Sequence, residues 1–180
     1  MVGISKRYIS ETVDANGTLQ DIAFHDTDRF NFAYDVVDAM AQEEPEKMCM
    51  LWVSGDKSRE CRFTFKEMME YSNRTANYFR SLGIGAGDRV MLVLKRHYQF
   101  WFAILALHKL GAVVIPATHQ LKEEDFTYRF EAGDITALIC TDEDEVGQEV
   151  ELAMAKKEYG IIKMMTPTRS EERRVGKECR

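Results

Sequence analysis

The sequence has few prolines and cysteines, no long apolar run and no excess of basic residues. It contains three prolines and four cysteines in 180 residues. The longest apolar stretch, residues 100–107, is well short of the roughly 20 residues that a membrane-spanning helix needs. The formal net charge is −6, which argues against nucleic acid or an anionic membrane as the partner. We therefore expect a small-molecule or protein partner.

Metal-binding and secretory signatures are also missing. The cysteines show neither Cys-x-x-Cys spacing nor the density of a disulfide scaffold, which is typical of a reducing compartment. The four histidines lack the i, i+3 or i, i+4 pairing of zinc ligands on a helix, so no metal site is predicted. The first residues lack the apolar core and cleavage site of a secretory signal. The expected location is the cytoplasm.

The last twelve residues differ in character from the rest. Residues 169–180 contain one valine among mostly charged residues and show no periodicity. They resemble the translation of a sequencing-library adapter that was read through in frame. A natural, solvated charged tail is the alternative. We expect a non-native artefact tail over 169–180, an amino-terminal arm over 1–29, and a folded part over 30–168.

The first part of that segment predicts a helix, a hairpin and a second helix. Near-helical apolar spacing precedes Pro45, and the turn residues 54–58 separate two extended runs. Thr64 and Glu67 have capping-box spacing, which predicts a helix start. Gly83 fits the glycine that ends such a helix.

A regular alternation follows. We predict strands over 89–94, 112–115, 136–140 and 161–165, and helices over 98–110, 122–132 and 143–158. Near-continuous apolar strands separated by helices indicate a mostly parallel sheet with helices on both faces. The predicted class is therefore α/β, with the hairpin before the sheet.

Three patterns in this segment are interpreted as structural. Gly83, Gly85 and Gly87 close a helix and lead into a strand, whereas a dinucleotide fingerprint follows a strand and opens a helix. Trp101 lies on a helix that is apolar nearly all round, which predicts core packing. The acidic run 142–145 precedes a helix, where carboxylates stabilise the helix dipole, so we interpret it as capping.

The strongest local candidate for binding is the turn Ala117, Thr118 and His119. It follows Pro116 at the carboxyl end of a predicted strand, where ligands of open α/β sheets bind. A plain turn is the alternative interpretation. His119 can titrate near neutral pH, but the sequence assigns it no acid, base or nucleophile as a partner.

Three ordered segments carry a resemblance to a known family. Residues 63–68 (Phe-Thr-Phe-Lys-Glu-Met), 82–90 (Leu-Gly-Ile-Gly-Ala-Gly-Asp-Arg-Val) and 108–116 (His-Lys-Leu-Gly-Ala-Val-Val-Ile-Pro) resemble the adenylate-forming acyl-activating superfamily, the AMP-binding enzymes. Residues 30–37 and the strand around 50–53 are similar to its acyl-CoA synthetase branch, especially acetate-like and medium-chain members. The likeness covers about residues 30–162.

The resemblance implies part of the amino-terminal domain of an acid:thiol ligase. Such an enzyme uses ATP and Mg²⁺ to convert a carboxylate into an acyl-adenylate, and coenzyme A then accepts the acyl group. The family's phosphate loop, adenine-stacking segment, ribose-binding Asp and lid lysine have no match here, so no catalytic residue is transferred. We expect the fragment to be inactive as given and to bind none of these cofactors well.

The resemblance places Ala117, Thr118 and His119 beside the thiol-acceptor side of the acetate-type branch. Two alternatives to a synthetase stay open at this point. One is a carrier-protein-loading adenylation domain of the same superfamily, and the other is an α/β binding module without ATP chemistry. The sequence does not specify the acyl chain length, the acceptor or the oligomeric state.

Overall fold

A computed structural model describes residues 3–166 of the chain. The predicted artefact tail, 169–180, lies outside the described residues. Within them, no helix is long and apolar enough to cross a membrane.

The amino-terminal arm contains a hairpin that the sequence analysis did not predict. Strands β1 (Ile9–Val13) and β2 (Leu19–Phe24) pair antiparallel, after a short 3-10 turn. The Asp14 carboxylate accepts bonds from the amides of Asn16 and Thr18, at 2.8 and 3.0 Å. Gly17 adopts a φ of 80°. The Asn16-Gly17 dipeptide was the available signal, because this pair favours tight hairpin turns.

A second hairpin and two helices precede the main sheet. A π-helical segment (Ala33–Asp38) runs into α1 (Ala39–Glu43), and β3 (Met48–Val53) then pairs antiparallel with β4 (Glu60–Thr64). Both the helix before Pro45 and this hairpin were predicted, and the structure contains them. Their apolar side chains pack together with those of the next helix.

Helix α2 (Phe65–Ser81) has the two ends that its sequence predicts. The Thr64 hydroxyl accepts from the Glu67 amide at 3.2 Å, while the Glu67 carboxylate accepts from the Thr64 amide at 2.9 Å. At the other end Gly83 has a φ of 92°, and the Ile84 amide donates to the Phe79 carbonyl at 3.1 Å. Together these contacts form a capping box and a Schellman motif.

The main sheet is parallel, as the alternation predicts. Its strands are β5 (Arg89–Val93), β6 (Val113–Pro116), β7 (Ala137–Thr141) and β8 (Ile162–Thr166), in the order β6-β5-β7-β8. The connecting helices are α3 (Gln99–Leu110), α4 (Glu123–Ala132) and α5 (Val146–Met154). The predicted helix over 143–158 is shorter than expected, because residues 143–145 form a 3-10 turn and Glu145 takes a left-handed conformation.

Helices cover both faces of this sheet. On one face, Met91 and Val93 of β5 pack against Phe126 of α4 and Val150 of α5. On the other face, the alternate residues of β5 pack against α2 and α3. This alternation follows from the two-residue period of a strand and confirms the predicted α/β arrangement.

The prediction that Trp101 lies in the core is wrong. Its neighbours Phe102 and Leu105 are buried against the second hairpin, but Trp101 is 50% exposed. Helix α3 has the sheet, α2 and the second hairpin around it, and Trp101 points away from their shared core. An apolar composition on every side of a helix therefore did not imply burial on every side.

A buried ion pair joins α3 to the elements before it. Lys109 Nζ lies 2.8 Å from Asp38 Oδ1, and it also donates to Ser72 Oγ and Asn73 Oδ1 at 2.9 and 2.8 Å. The Lys109 side chain is 2% exposed. Nearby, the Asn31 amide group donates to the His108 carbonyl at 2.8 Å. Lys109 is the lysine of the Lys-x-Gly-Ala segment, and its role here is structural.

Candidate functional site

A cleft of about 470 Å³ opens at the carboxyl end of the parallel sheet. This size lies within the usual range of small-molecule sites. The loops after β5, β6 and β7 contribute to its wall, and the loop of the second hairpin closes one side. Its lining residues are Trp52, Gly55, Arg59, Lys95, Arg96, His97, Tyr98, Gln99, His119 and Glu143.

The loop between β5 and α3 supplies the centre of the cleft wall. Lys95, Arg96 and His97 come directly after the buried strand β5, where the chain emerges from the sheet. The Trp52 indole N–H donates to the Arg96 carbonyl at 2.5 Å, and the Trp52 and Tyr98 rings pack edge to face with centroids 5.5 Å apart. These contacts fix the loop against the second hairpin.

The hairpin loop is held by the buried residue Ser54. Its hydroxyl donates to Asp56 Oδ1 at 2.6 Å and accepts from the Arg59 amide at 3.0 Å. The Ser54 amide donates to the Arg59 carbonyl at 2.9 Å. The backbone of Arg59 is therefore fixed on the rim of the cleft.

The end of β7 brings a histidine and a carboxylate together. His97 Nε2 lies 2.8 Å from the hydroxyl of Thr141 and 3.9 Å from a Glu143 carboxylate oxygen. The other Glu143 oxygen lies 3.9 Å from Lys95 Nζ. The capping interpretation of the acidic run 142–145 is therefore wrong for Glu143, whose side chain faces the cleft.

Sequence reasoning missed most of this site, although a signal was present. The run Lys95-Arg96-His97 follows a buried strand at its carboxyl end, where ligands of open α/β sheets bind. The contribution of Arg59 and Trp52 depends on how the second hairpin packs against α3 and the loop after β5, and local sequence does not specify that packing.

The predicted turn lies at the same end of the sheet, but its three residues differ in position. His119 lines the cleft. Ala117 is half-buried and donates its amide to the Leu92 carbonyl at 2.8 Å, while Thr118 is exposed. Of the three predicted residues, His119 is the one that the structure brings together with the cations.

The other candidate features have structural roles in the described part of the chain. Gly83 and Gly87 have positive φ values and lie in the turn from α2 to β5, as their order in the sequence predicts. No group of three or more His, Cys, Asp or Glu residues that could hold a metal occurs within residues 3–166.

The buried thiol near the cleft is kept protonated. Burial raises the pKa of Cys140 to about 11, with a smaller opposing effect from Lys163. Since the thiolate is the reactive form, Cys140 is an inert core residue at neutral pH. The wall of the cleft presents cationic and aromatic side chains.

Residues 37–178 match the family model described as "AMP-binding enzyme". The chain belongs to this family. The match agrees with the parallel sheet and with the ordered motifs of the sequence.

Curated relatives of this family member are acyl-coenzyme A synthetases. The rat "Acyl-coenzyme A synthetase ACSM5, mitochondrial" is 37% identical over 119 residues, which are 63% of this chain and 20% of the relative. The rat ACSM2 protein is 33% identical over 80% of this chain and 26% of its own length. Human ACSM2A is 33% identical over 79% and 25%. The chain thus spans about a quarter of the length of these relatives.

Two solved structures have the same fold. A benzoate CoA ligase from Burkholderia xenovorans LB400 superposes with a TM-score of 0.63 at 22% identity, covering 76% of this chain and 26% of that one. A Mycobacterium tuberculosis fatty acyl CoA synthetase gives a TM-score of 0.65 at 22% identity, covering 81% and 28%. At these identities the likeness shows the fold alone.

Proposed function

We propose that this chain is the amino-terminal part of an ATP-dependent, AMP-forming acyl-CoA synthetase. In this reaction a carboxylate attacks the α-phosphate of ATP, giving an acyl-adenylate and pyrophosphate. The CoA thiol then takes the acyl group, and AMP leaves. The observation that carries the proposal is the identity of 32–37%, over 119 to 149 residues, to several acyl-coenzyme A synthetases.

The chain's own part in this function is structural and ligand-binding. Adenylation needs positive groups that stabilise the charge developing on the phosphates. We assign none of the described residues to this step, which uses ATP and Mg²⁺. The parallel sheet and its two layers of helices provide the scaffold. The cleft at the carboxyl end provides a surface next to the proposed acceptor side.

Ala117, Thr118 and His119 are proposed to border the thiol acceptor. His119 is the member that lines the cleft. In the full-length protein we expect His119→Ala to raise the KM for CoA and to leave CoA-independent pyrophosphate release unchanged. His25→Ala, at an exposed histidine outside the cleft lining, is the matched control. An equal loss of both half-reactions would contradict an acceptor-side position.

Pyrophosphate release tests the proposal as a whole. The full-length protein is incubated with ATP, Mg²⁺ and a panel of carboxylates of increasing chain length, and thioester formation is followed with CoA or with a carrier protein. The expected result is pyrophosphate release that depends on a carboxylate, followed by a CoA thioester. Thioester formation on the carrier protein alone would contradict the synthetase assignment. We expect no pyrophosphate release from the 180-residue chain.

The cytoplasmic location stays a proposal. Its support is the low cysteine content. The curated relatives carry "mitochondrial" in their names. Cell fractionation of the tagged full-length protein, with markers for both compartments, distinguishes the two locations.

A further inference from the structure

We propose that one face of the first hairpin is a docking surface for the part of the full-length protein that follows residue 166. The inference rests on the proposed function in one respect, namely that the chain is the amino-terminal part of a longer protein. The hairpin consists of β1 and β2, and nearly all of its residues are exposed. Within residues 3–166, none of its apolar side chains belongs to a buried cluster.

The two faces of this hairpin differ in chemistry. Residues opposite each other on paired strands share a face, and successive residues of a strand alternate between faces. One face carries three cross-strand pairs, which are Ile9–Phe24, Glu11–Ile22 and Val13–Leu19. The side chains of Phe24 and Val13 on this face are 66% and 55% exposed. The other face carries the pairs Ser10–Ala23 and Thr12–Asp21. The hairpin therefore presents an apolar face, with Glu11 within it, to the outside of the described part of the chain.

The hairpin is fixed at its base. The Tyr8 and Phe30 rings pack edge to face with centroids 4.9 Å apart, and the Tyr8 hydroxyl donates to the Asp35 carbonyl at 3.4 Å. Arg7 lies 2.6 Å from a Glu43 carboxylate oxygen. These contacts orient the hairpin against the π-helical segment and α1, but the apolar face stays exposed. A two-stranded hairpin is marginally stable in water unless its apolar face packs against another element, so this face requires a cover.

The length of the relatives favours the same polypeptide as that cover. The chain spans about a quarter of the length of its curated relatives, so on the proposed function most of the protein lies outside the structure. A segment of the same chain is present at an effective concentration of up to about 1 mM. A second copy has no such advantage, and we therefore assign the face to the later part of the full-length protein.

The charge of the hairpin specifies the chemistry of the opposing surface. Residues 9–28 contain five acidic residues and no lysine or arginine, which argues against an anionic membrane or a nucleic acid. Interfaces pair a positive patch with a negative one. We therefore expect an apolar surface with lysine or arginine at its rim, and a cation opposite Glu11.

Two neighbouring positions test whether the apolar face is covered. In the full-length protein, Glu11→Cys places a thiol on the apolar face, and Thr12→Cys places one on the opposite face of the same strand. Neither change removes a large apolar side chain. With iodoacetamide, an uncharged reagent, we expect the thiol at position 11 to react about tenfold more slowly than the thiol at position 12, because it is accessible only when the face undocks. Peptide mass spectrometry separates each site from the native cysteines. In denaturing urea both thiols should react at the same rate.

Substitutions on the two faces decide whether the protection comes from docking. In the Glu11→Cys background, Phe24→Lys should restore fast labelling, since it buries a charge in the proposed contact. Ala23→Lys, on the opposite face, should leave the labelling slow. Circular dichroism checks that the variants fold, and the comparison of positions 11 and 12 stands even if Phe24→Lys does not fold.

Three results would overturn the proposal. They are equal labelling of the two thiols in the native protein, protection that survives Phe24→Lys in a folded variant, and protection that increases with protein concentration, as docking of a second copy would give. The labelling uses neither ATP nor CoA. A protein that released no pyrophosphate could therefore still show a covered hairpin, and the proposed function and the docking surface fail separately.

Discussion

The two ends of the parallel sheet use charge in opposite ways. Near the end of α3, just before the chain enters β6 at the amino end of the sheet, Lys109 is 2% exposed and is surrounded by Asp38, Ser72 and Asn73. At the carboxyl end, Lys95 and Arg96 are exposed on the wall of an open cleft. At one end the charged group is buried among partners from other elements, and at the other the cations lie on the wall of a cleft.

The difference shows that residue type alone does not assign a role to a lysine. Lys109 belongs to a segment that resembles a family motif, yet its ammonium group is buried and bonded to side chains of the same chain. Lys95 and Arg96 belong to no recognised motif here, yet they face a cleft. Burial separates the two environments, and substitutions at the two ends should therefore differ in their effect on stability.

The largest effect is expected at Lys109. Lys109→Met leaves the Asp38 carboxylate buried without its cation, which should lower the free energy of unfolding by about 3–5 kcal/mol. Urea unfolding measures the change. Lys122→Met is the control, because its side chain is 65% exposed in the pair with Glu149, and loss of such an exposed pair has little effect on stability. Equal losses of unfolding free energy in both variants would contradict the interpretation that Lys109 stabilises the fold through its buried partners.

A moderate effect is expected at Gly111, which ends α3. Its φ is 72°, and an added Cβ would lie 3.4 Å from the Cβ of Ala86. Gly111→Ala should therefore lower the melting temperature through a loss of about 1–2 kcal/mol. Gly55→Ala, in the hairpin loop, has open space around its Cβ position. Gly55→Ala should not destabilise the protein. A loss of stability comparable to that of Gly111→Ala would contradict the role given to the positive φ of Gly111.

A small effect on stability is expected at Arg96, on the open end. Arg96→Gln should change the free energy of unfolding by no more than about 0.5 kcal/mol, as is usual for surface positions. Urea unfolding of the variant and the parent chain measures the change. A large loss of stability would show that Arg96, like Lys109, has a structural role.

The smallest effect is a pH dependence from His108, beside Lys109. Burial lowers the pKa of His108 from its ordinary value of 6.5, so the unfolded chain takes up a proton more readily than the folded chain. Stability should fall as the pH decreases through 6.5 and should be unaffected by this group well above it. His108→Gln should reduce that slope in urea unfolding between pH 5 and 7.5. His25→Gln, at an exposed histidine, should preserve it.

Local signals predicted much of the fold. The capping pair Thr64 and Glu67, the glycine at 83 and the apolar strands all depend on near neighbours in the chain, and the structure contains each of them. The first hairpin was missed although Asn16-Gly17 marked its turn. The last predicted helix was too long, because Glu145 breaks it with a left-handed backbone that helical periodicity does not reveal.

The candidate site was less predictable, for a physical reason. His119 could be placed at a strand end by sequence alone. The cleft also needs Arg59 and Trp52, which approach the sheet only because the second hairpin packs on α3. Such contacts join residues far apart in the chain, and periodicity within a segment carries no information about them.

The strand order β6-β5-β7-β8 has a consequence for synthesis on the ribosome. Strand β5 lies between β6 and β7, both of which follow it in the chain. The emerging polypeptide therefore carries an apolar strand without a partner until α3 and β6 have left the exit tunnel, and its other edge stays open until β7 appears. Such a delay exposes β5 to aggregation and makes it a natural target for chaperones that bind nascent chains.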